Sequence, residues 1–216
     1  MFSLRQNERP AGRIAALLLL GPTSAGKTPF GQLLEARGLV GRRCAHFDFG
    51  ENLRQAVARD QPDAIVSVED LLFLRGVLAR GALLEDQDFP IAERILRSFL
   101  ARAAADADPL VVLNGLPRHV GQAAAMAHNL EVRIVVNLAC SAETVLARVA
   151  ANTGGDRTHR TDDDLEAIRR KLVIFAERTA PLVEYYREQD AHIQQLDVVT
   201  DTTAAQLWEQ MRGLGG

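Results

Sequence analysis

The chain has 216 residues, 47% hydrophobic and 25% charged, with a formal net charge of -3 at pH 7. That length buries one core with room for a small inserted subdomain, and the weak negative charge, with no basic tract, argues against a nucleic-acid polymer as partner. Two cysteines far apart, Cys44 and Cys140, suggest neither a disulfide framework nor a zinc site. The apolar run 14–20 is too short to span a bilayer and leads into no cleavage site, so a cytoplasmic protein with no membrane partner is expected.

Residues 1–12, polar and holding Pro10, are expected to be a loose leader. An apolar run over 13–20 predicts the first strand, followed by "GPTSAGKTPF" and then by a helix with Phe30, Leu33 and Leu34 at helical spacing, which Gly38 ends. Residues 42–47 predict the second strand. Between strands two and three there is more helical sequence than a single crossover needs, so an inserted helical lobe at about 49–106 is expected. Strands three to five are predicted at 110–114, 132–139 and 193–199. Leu165, Ile168, Leu172 and Phe175, at i, i+3, i+7 and i+10, mark a long helix. Thr161 suits its cap, and Asp162, Asp163 and Asp164 suit the positive end of its dipole. Trp208 reads as packing in the last helix, and residues 213–216 as a fraying end. The alternation predicts a five-stranded parallel sheet between two layers of helices, in one domain over 13–213.

Gly21, Gly26, Lys27 and Thr28 satisfy G-x-x-x-x-G-K-[ST] between a strand and a helix, the setting the motif requires. Small residues here, Ser24 and Ala25 among them, let successive backbone N–H groups turn inward around a polyphosphate, and the helix terminus adds partial positive charge. Lys27 then reaches the β and γ phosphates of ATP, and the Thr28 hydroxyl ligates Mg²⁺. Pro29 is tolerated because the first helical turn has no intrahelical use for that N–H.

Three further stretches carry a resemblance: "HFDFGENLR", "NGLPRHVGQA" and "RTDDDLEAIRRKLVIFAERTAPLVEYY". Together with the phosphate loop, and in this order, they resemble the nucleoside monophosphate kinases, adenylate kinase in particular, over residues 13 to about 200. The resemblance implies a P-loop fold, a short lid at about 149–161, and transfer of the γ-phosphoryl of MgATP to a nucleoside monophosphate, AMP first among them, by a monomer. It assigns Arg54 and Arg118 to the acceptor phosphate, Gln122 to the acceptor base, Gly50 and Gly115 to close approach, and Arg148 and Arg160 to the transferring phosphoryl group, with Arg118 and Lys27 sharing in catalysis. Planar guanidinium forks suit phosphate oxygens. The lid stretch "ANTGGDRTHR" holds no cysteine, which excludes a zinc staple; Gly154 and Gly155 supply mobility, Arg157 offers another phosphate contact, and His159 reads as a solvated loop residue.

The chain also departs from that pattern. Asn114 stands where the resemblance implies an Asp that holds water on Mg²⁺, so Asn114→Asp is expected to raise activity at limiting Mg²⁺. Asn152 and Lys171, the latter on the substrate side, stand in place of arginines, and the loop reads G-K-T without a Gly before the Thr. Three roles are open to Asp48: a cap for the next helix, a Mg²⁺ partner through water, or a base toward an acceptor hydroxyl, which would make the protein a small-molecule kinase. A nucleotide-binding regulatory module without transfer is a further alternative.

Overall fold

The computed structural model describes residues 13–59, 65–80, 84–104, 109–153, 155 and 165–213. Its elements run β1 (Ile14–Leu20), α1 (Lys27–Arg37), β2 (Cys44–Asp48), α2 (Phe49–Ala58), α3 (Val68–Arg80), a 3-10 turn (Asp86–Asp88) and α4 (Phe89–Ala104). They continue through β3 (Leu110–Asn114), α5 (Val120–Met126), β4 (Leu130–Ala139), α6 (Ala142–Ala151), α7 (Leu165–Ile174), a π turn (Phe175–Thr179), α8 (Leu182–Arg187), β5 (His192–Asp197) and α9 (Ala204–Gly213). The strands form one five-stranded sheet in the order β2-β3-β1-β4-β5, parallel throughout. This is the five-stranded parallel α/β sheet that the alternation predicts and the P-loop type of fold that the resemblance implies. Because β1 lies between β3 and β4, the chain winds in opposite directions on its two sides, and a crevice opens at the carboxyl ends of the strands there.

Burial explains why β1 is an unbroken apolar run rather than an alternating one. Ala16, Leu18 and Leu20 enter the core covered by α2 to α5 and α8, whereas Ala15, Leu17 and Leu19 enter the core covered by α1 and α9. On the second face Phe30 and Leu34 of α1 meet Leu207 and Met211 of α9. The α1 helix stops at Gly38, whose N–H donates to Leu34 O at 2.7 Å. Trp208 is packing, as expected: its indole N–H donates to Gly38 O at 3.0 Å, and Arg37 and Arg212 each stand 5.2 Å from the ring centroid.

Some expected elements shift. The second strand begins at Cys44 and not at 42, because Arg42 bridges back to Leu39 in a tight turn through Gly41. The stripe on α7 is carried by Ile168, 3% exposed, and not by Leu165, which is 49% exposed at the start of the helix. Phe175 opens the π turn, where Ala180 N–H reaches back to Phe175 O at 2.8 Å. Pro181 follows with no N–H to give, so the ladder widens and ends there. The leader 1–12, Thr161, Asp162, Asp163, Asp164 and residues 214–216 lie outside the described residues. Among the described residues no helix is long and apolar enough to cross a membrane, and Cys44 and Cys140 are both free thiols.

One contact between α1 and β2 makes stability pH-dependent. The His46 ring fills the space a Cβ on Gly31 would need, and its Nε2 is buried without a partner. Burial lowers the imidazole pKa, with Asp48 and Glu35 opposing the shift. The unfolded chain therefore binds the proton first, near pH 6.5, and the contribution of His46 present above that pH is lost as pH falls toward the folded value. Thermal melts from pH 7 to pH 5 should show the wild-type midpoint dropping more steeply than that of His46→Leu. Parallel slopes would remove His46 from the acid response.

Candidate active site

A cavity of about 260 Å³ opens where β1, β2 and β3 end. The loop after β1 forms one wall, and its shape follows from its residues. Gly21 sits at φ 144°, and a Cβ there would come within 2.9 Å of Leu138 O; Gly26, at φ 94°, turns the chain into α1. Ser24 holds φ 60° without being a glycine, and its hydroxyl is buried with no partner. Lys27 Nζ curls back to donate to Gly21 O at 2.7 Å and Pro22 O at 2.6 Å, which holds the ammonium within the turn of the loop.

At the floor stand Asp48 and Asn114, the last residues of β2 and β3 and partners in the parallel register. Asp48 uses its two oxygens differently. Oδ1 accepts the Glu51 N–H at 2.9 Å and caps α2, whereas Oδ2 accepts the Thr28 hydroxyl at 2.7 Å and the Asn114 amide at 2.8 Å. The same Asn114 Nδ2 donates to Thr28 Oγ1 at 3.0 Å. This geometry revises the expectation for Asn114→Asp, because a carboxylate there would face that of Asp48 at hydrogen-bond distance, and the pair would take up a proton instead of adding charge.

The opposite wall is built around Arg118 and Gln122. Arg118 N–H donates to Gln122 Oε1 at 2.8 Å, and Gln122 Nε2 donates to Leu84 O at 2.9 Å. Thr179 of the π turn donates to Arg118 O at 2.8 Å. Near these, Arg178 grips Glu85 through two hydrogen bonds of 2.7 and 2.8 Å, which lowers the Glu85 pKa and raises that of Arg178. Burial lowers the Arg118 guanidinium pKa, and the charge of Asp48 opposes it. Arg54 leans on Glu51 in a half-exposed pair at 2.9 Å, weak enough for an anion to displace.

Of the residues singled out in the sequence, Gly21, Ser24, Gly26, Lys27, Thr28, Asp48, Gly50, Arg54, Gly115, Arg118, Gln122 and Lys171 line this cavity. Ala25 does not; it is wholly buried behind the loop. Arg148 packs against the phosphate loop, its Nη2 3.4 Å from the place of a Cβ on Gly26. Expected on the transferring phosphoryl group, it is 3% exposed and donates to four main-chain carbonyls: Ser24 O at 2.7 Å, Val199 O at 2.8 Å, Thr202 O at 3.0 Å and Thr200 O at 3.1 Å. It ties the phosphate loop to the segment after β5. Asn152 caps α6 in the left-handed conformation at φ 46°. Arg160, Arg157, His159 and Gly154, the centre of the expected lid, lie outside the described residues. Sequence reasoning gave no role to Glu85, Arg178 or Thr179, although Arg178, Thr179 and Pro181 all lie in the stretch that carries the resemblance.

No family model matches the chain. The adenylate kinase of Parvibaculum lavamentivorans is 36% identical to it over 182 residues, 79% of this chain and 78% of that protein. The adenylate kinase of Prochlorococcus marinus is 32% identical over 177 residues, 79% of this chain and 82% of that one. The adenylate kinase 1 of a Nostoc species is 32% identical over 178 residues, 80% and 85% of the respective chains.

Proposed function

Because this chain belongs to the adenylate kinase family of nucleoside monophosphate kinases, we propose that it transfers the γ-phosphoryl of MgATP to AMP. One observation carries the reading: a phosphate loop with Lys27 and an acceptor wall with Arg118 and Gln122 line the same cavity. A protein that only held ATP has no use for the second wall. An acceptor phosphate oxygen attacks the γ phosphorus while the bond from that phosphorus to the β–γ bridging oxygen breaks, and ADP leaves on each side. The acceptor is already an anion, so no base is required.

The chain's own residues supply position and charge. Lys27 leaves its two carbonyls for phosphate oxygens, since a charge-assisted bond is stronger than one to a neutral carbonyl. The orphaned Ser24 hydroxyl and the inward N–H groups of the loop complete the cradle. Arg118, partly buried, and Arg54 take the acceptor phosphate, Lys171 adds charge beside them, and Gly50 and Gly115 leave room. The resemblance assigns Arg160 to the transferring group and a water-excluding short lid to about residues 149–161. Helices α2 to α4 serve as the acceptor lobe. An oxygen donor set of Thr28 hydroxyl and Asp48 carboxylate fits a hard cation, so these residues would hold Mg²⁺, which would neutralise part of the phosphate charge. The protein works as a monomer in the cytoplasm, on nucleotides and not on nucleic-acid polymers.

The choice of AMP is supported by the Gln122 amide, 1% exposed. Its oxygen faces a backbone N–H and its nitrogen a backbone carbonyl, so it does not flip. One N–H remains to donate, beside the Leu84 carbonyl that accepts. Adenine N1 and its amino group match that pair, whereas guanine and uracil present an N–H at the same ring position. A coupled assay of ATP consumption against AMP, CMP, GMP, UMP and dTMP should give AMP a kcat/KM at least about 100-fold above GMP, UMP and dTMP. A preference for GMP or UMP would overturn the base assignment, and ATP binding with no turnover on any of the five would overturn the kinase.

A further inference from the structure

Asp48 is out of place in its surroundings. Four cations, Lys27, Arg54, Arg118 and Lys171, line the cavity, and Asp48 is the sole acidic residue among its described lining residues. Against bound phosphates a lone carboxylate is repulsive unless a cation stands between them. Its contacts aim it at such a place. Oδ2 is held by the Thr28 hydroxyl at 2.7 Å and by the Asn114 amide at 2.8 Å, and the amide also donates to that hydroxyl at 3.0 Å, so the three groups close a ring at the start of α1. Asn114 is 4% exposed and acts only as a donor here. Oδ2 is filled by these two donors and Oδ1 takes the Glu51 N–H, so of the roughly four lone-pair directions a carboxylate offers one remains for a water, on Oδ1.

Resting on the kinase reading above, we propose that the negative charge serving the Mg²⁺ of bound nucleotide has been transposed by one strand in this chain. Asp48 at the end of β2 carries it and holds a water on the metal, and Asn114 at the end of β3 is the positioning residue that aims it. The register explains why the exchange is possible: Asp48 and Asn114 are direct partners in adjacent parallel strands, so an acid and an amide can trade places with little movement of either. The carboxylate is anchored to the phosphate loop, because its Oδ2 accepts the Thr28 hydroxyl at 2.7 Å.

The test is a charge swap read by metal binding. Free Mn²⁺ is followed by electron paramagnetic resonance as it binds to the complex of the full chain with ADP, for wild type, Asp48→Asn, and Asp48→Asn combined with Asn114→Asp. ADP affinity in EDTA and melting temperature are measured alongside. Asp48→Asn should weaken Mn²⁺ about 10- to 100-fold, with ADP affinity in EDTA unchanged or tighter because a carboxylate that repels bare phosphates is gone. The double variant, which restores one acid facing one amide, should return Mn²⁺ affinity to within several-fold of wild type. Asparagine still caps α2, so a melting temperature near wild type separates metal loss from unfolding. Mn²⁺ affinity within twofold of wild type in Asp48→Asn overturns the proposal, as does a double variant no better than the single one. Should the expected Mn²⁺ pattern appear while wild type phosphorylates no monophosphate, the transposition stands and the kinase reading falls.

Discussion

Lys27→Ala should lower kcat by roughly 10³-fold while leaving the melting temperature within a few degrees of wild type. The ammonium is already held at the phosphate loop by two carbonyls, Gly21 O and Pro22 O. Phosphate oxygens exchange those neutral acceptors for charged ones, and the interaction strengthens as charge shifts toward the leaving ADP. Removing one donor of this kind costs about 10²–10³ in kcat, or roughly 3–4 kcal/mol, and Lys27 brings a full charge as well. Folding loses less, since the two hydrogen bonds that hold Lys27 are only partly buried, although Gly21 and Pro22 are themselves buried. Lys27→Arg should not restore the rate, because a planar fork does not fit where a point charge did. The coupled assay gives kcat, and ADP titration separates binding from chemistry. A kcat within tenfold of wild type would take the loop out of the reaction.

The phosphate loop could be read from the chain because its chemistry is local. Gly21 and Gly26 adopt backbone angles that few other residues accept, and Lys27 and Thr28 follow directly, so spacing alone carries the geometry. The strands were legible for a similar reason: a sheet buried on both faces needs unbroken apolar runs, and β1 and β3 are such runs. Arg118 and Gln122 were found only through family likeness, and that likeness did not tell which way the amide turns. Its direction is set by Leu84 O, 38 residues away in the chain. The Glu85–Arg178 pair joins residues 93 apart, and no periodicity links them. Asp48 and Asn114 each looked ambiguous alone; their roles emerge from a strand register that sequence does not print. The π turn likewise depends on where Pro181 interrupts a helix whose face is already committed.

Arg148→Met should lower stability by about 3–4 kcal/mol, for a loss near 10 °C in melting temperature given the usual 2–4 °C per kcal/mol in chains of this size. The guanidinium is 3% exposed and serves four carbonyls from two separate segments. Methionine fills much of the volume but donates nothing, so the Thr202 carbonyl stays buried with a donor lost, at a cost of order 1–3 kcal/mol, and the three partly buried carbonyls lose theirs at a smaller one. Lysine keeps the charge yet lacks the fork that spans both segments, so Arg148→Lys should recover less than half of the loss. The kinetic signature follows from which segment is released. Freeing Ser24 O loosens the strained turn that shapes the phosphate cradle, so KM for ATP should rise more than kcat falls. A residue acting on the transferring phosphoryl group would do the opposite, leaving the melting temperature intact and lowering kcat 100-fold or more. Paired melts and ATP saturation curves therefore decide whether Arg148 holds the loop in shape or touches the chemistry, and the four carbonyls at 2.7 to 3.1 Å favour the first.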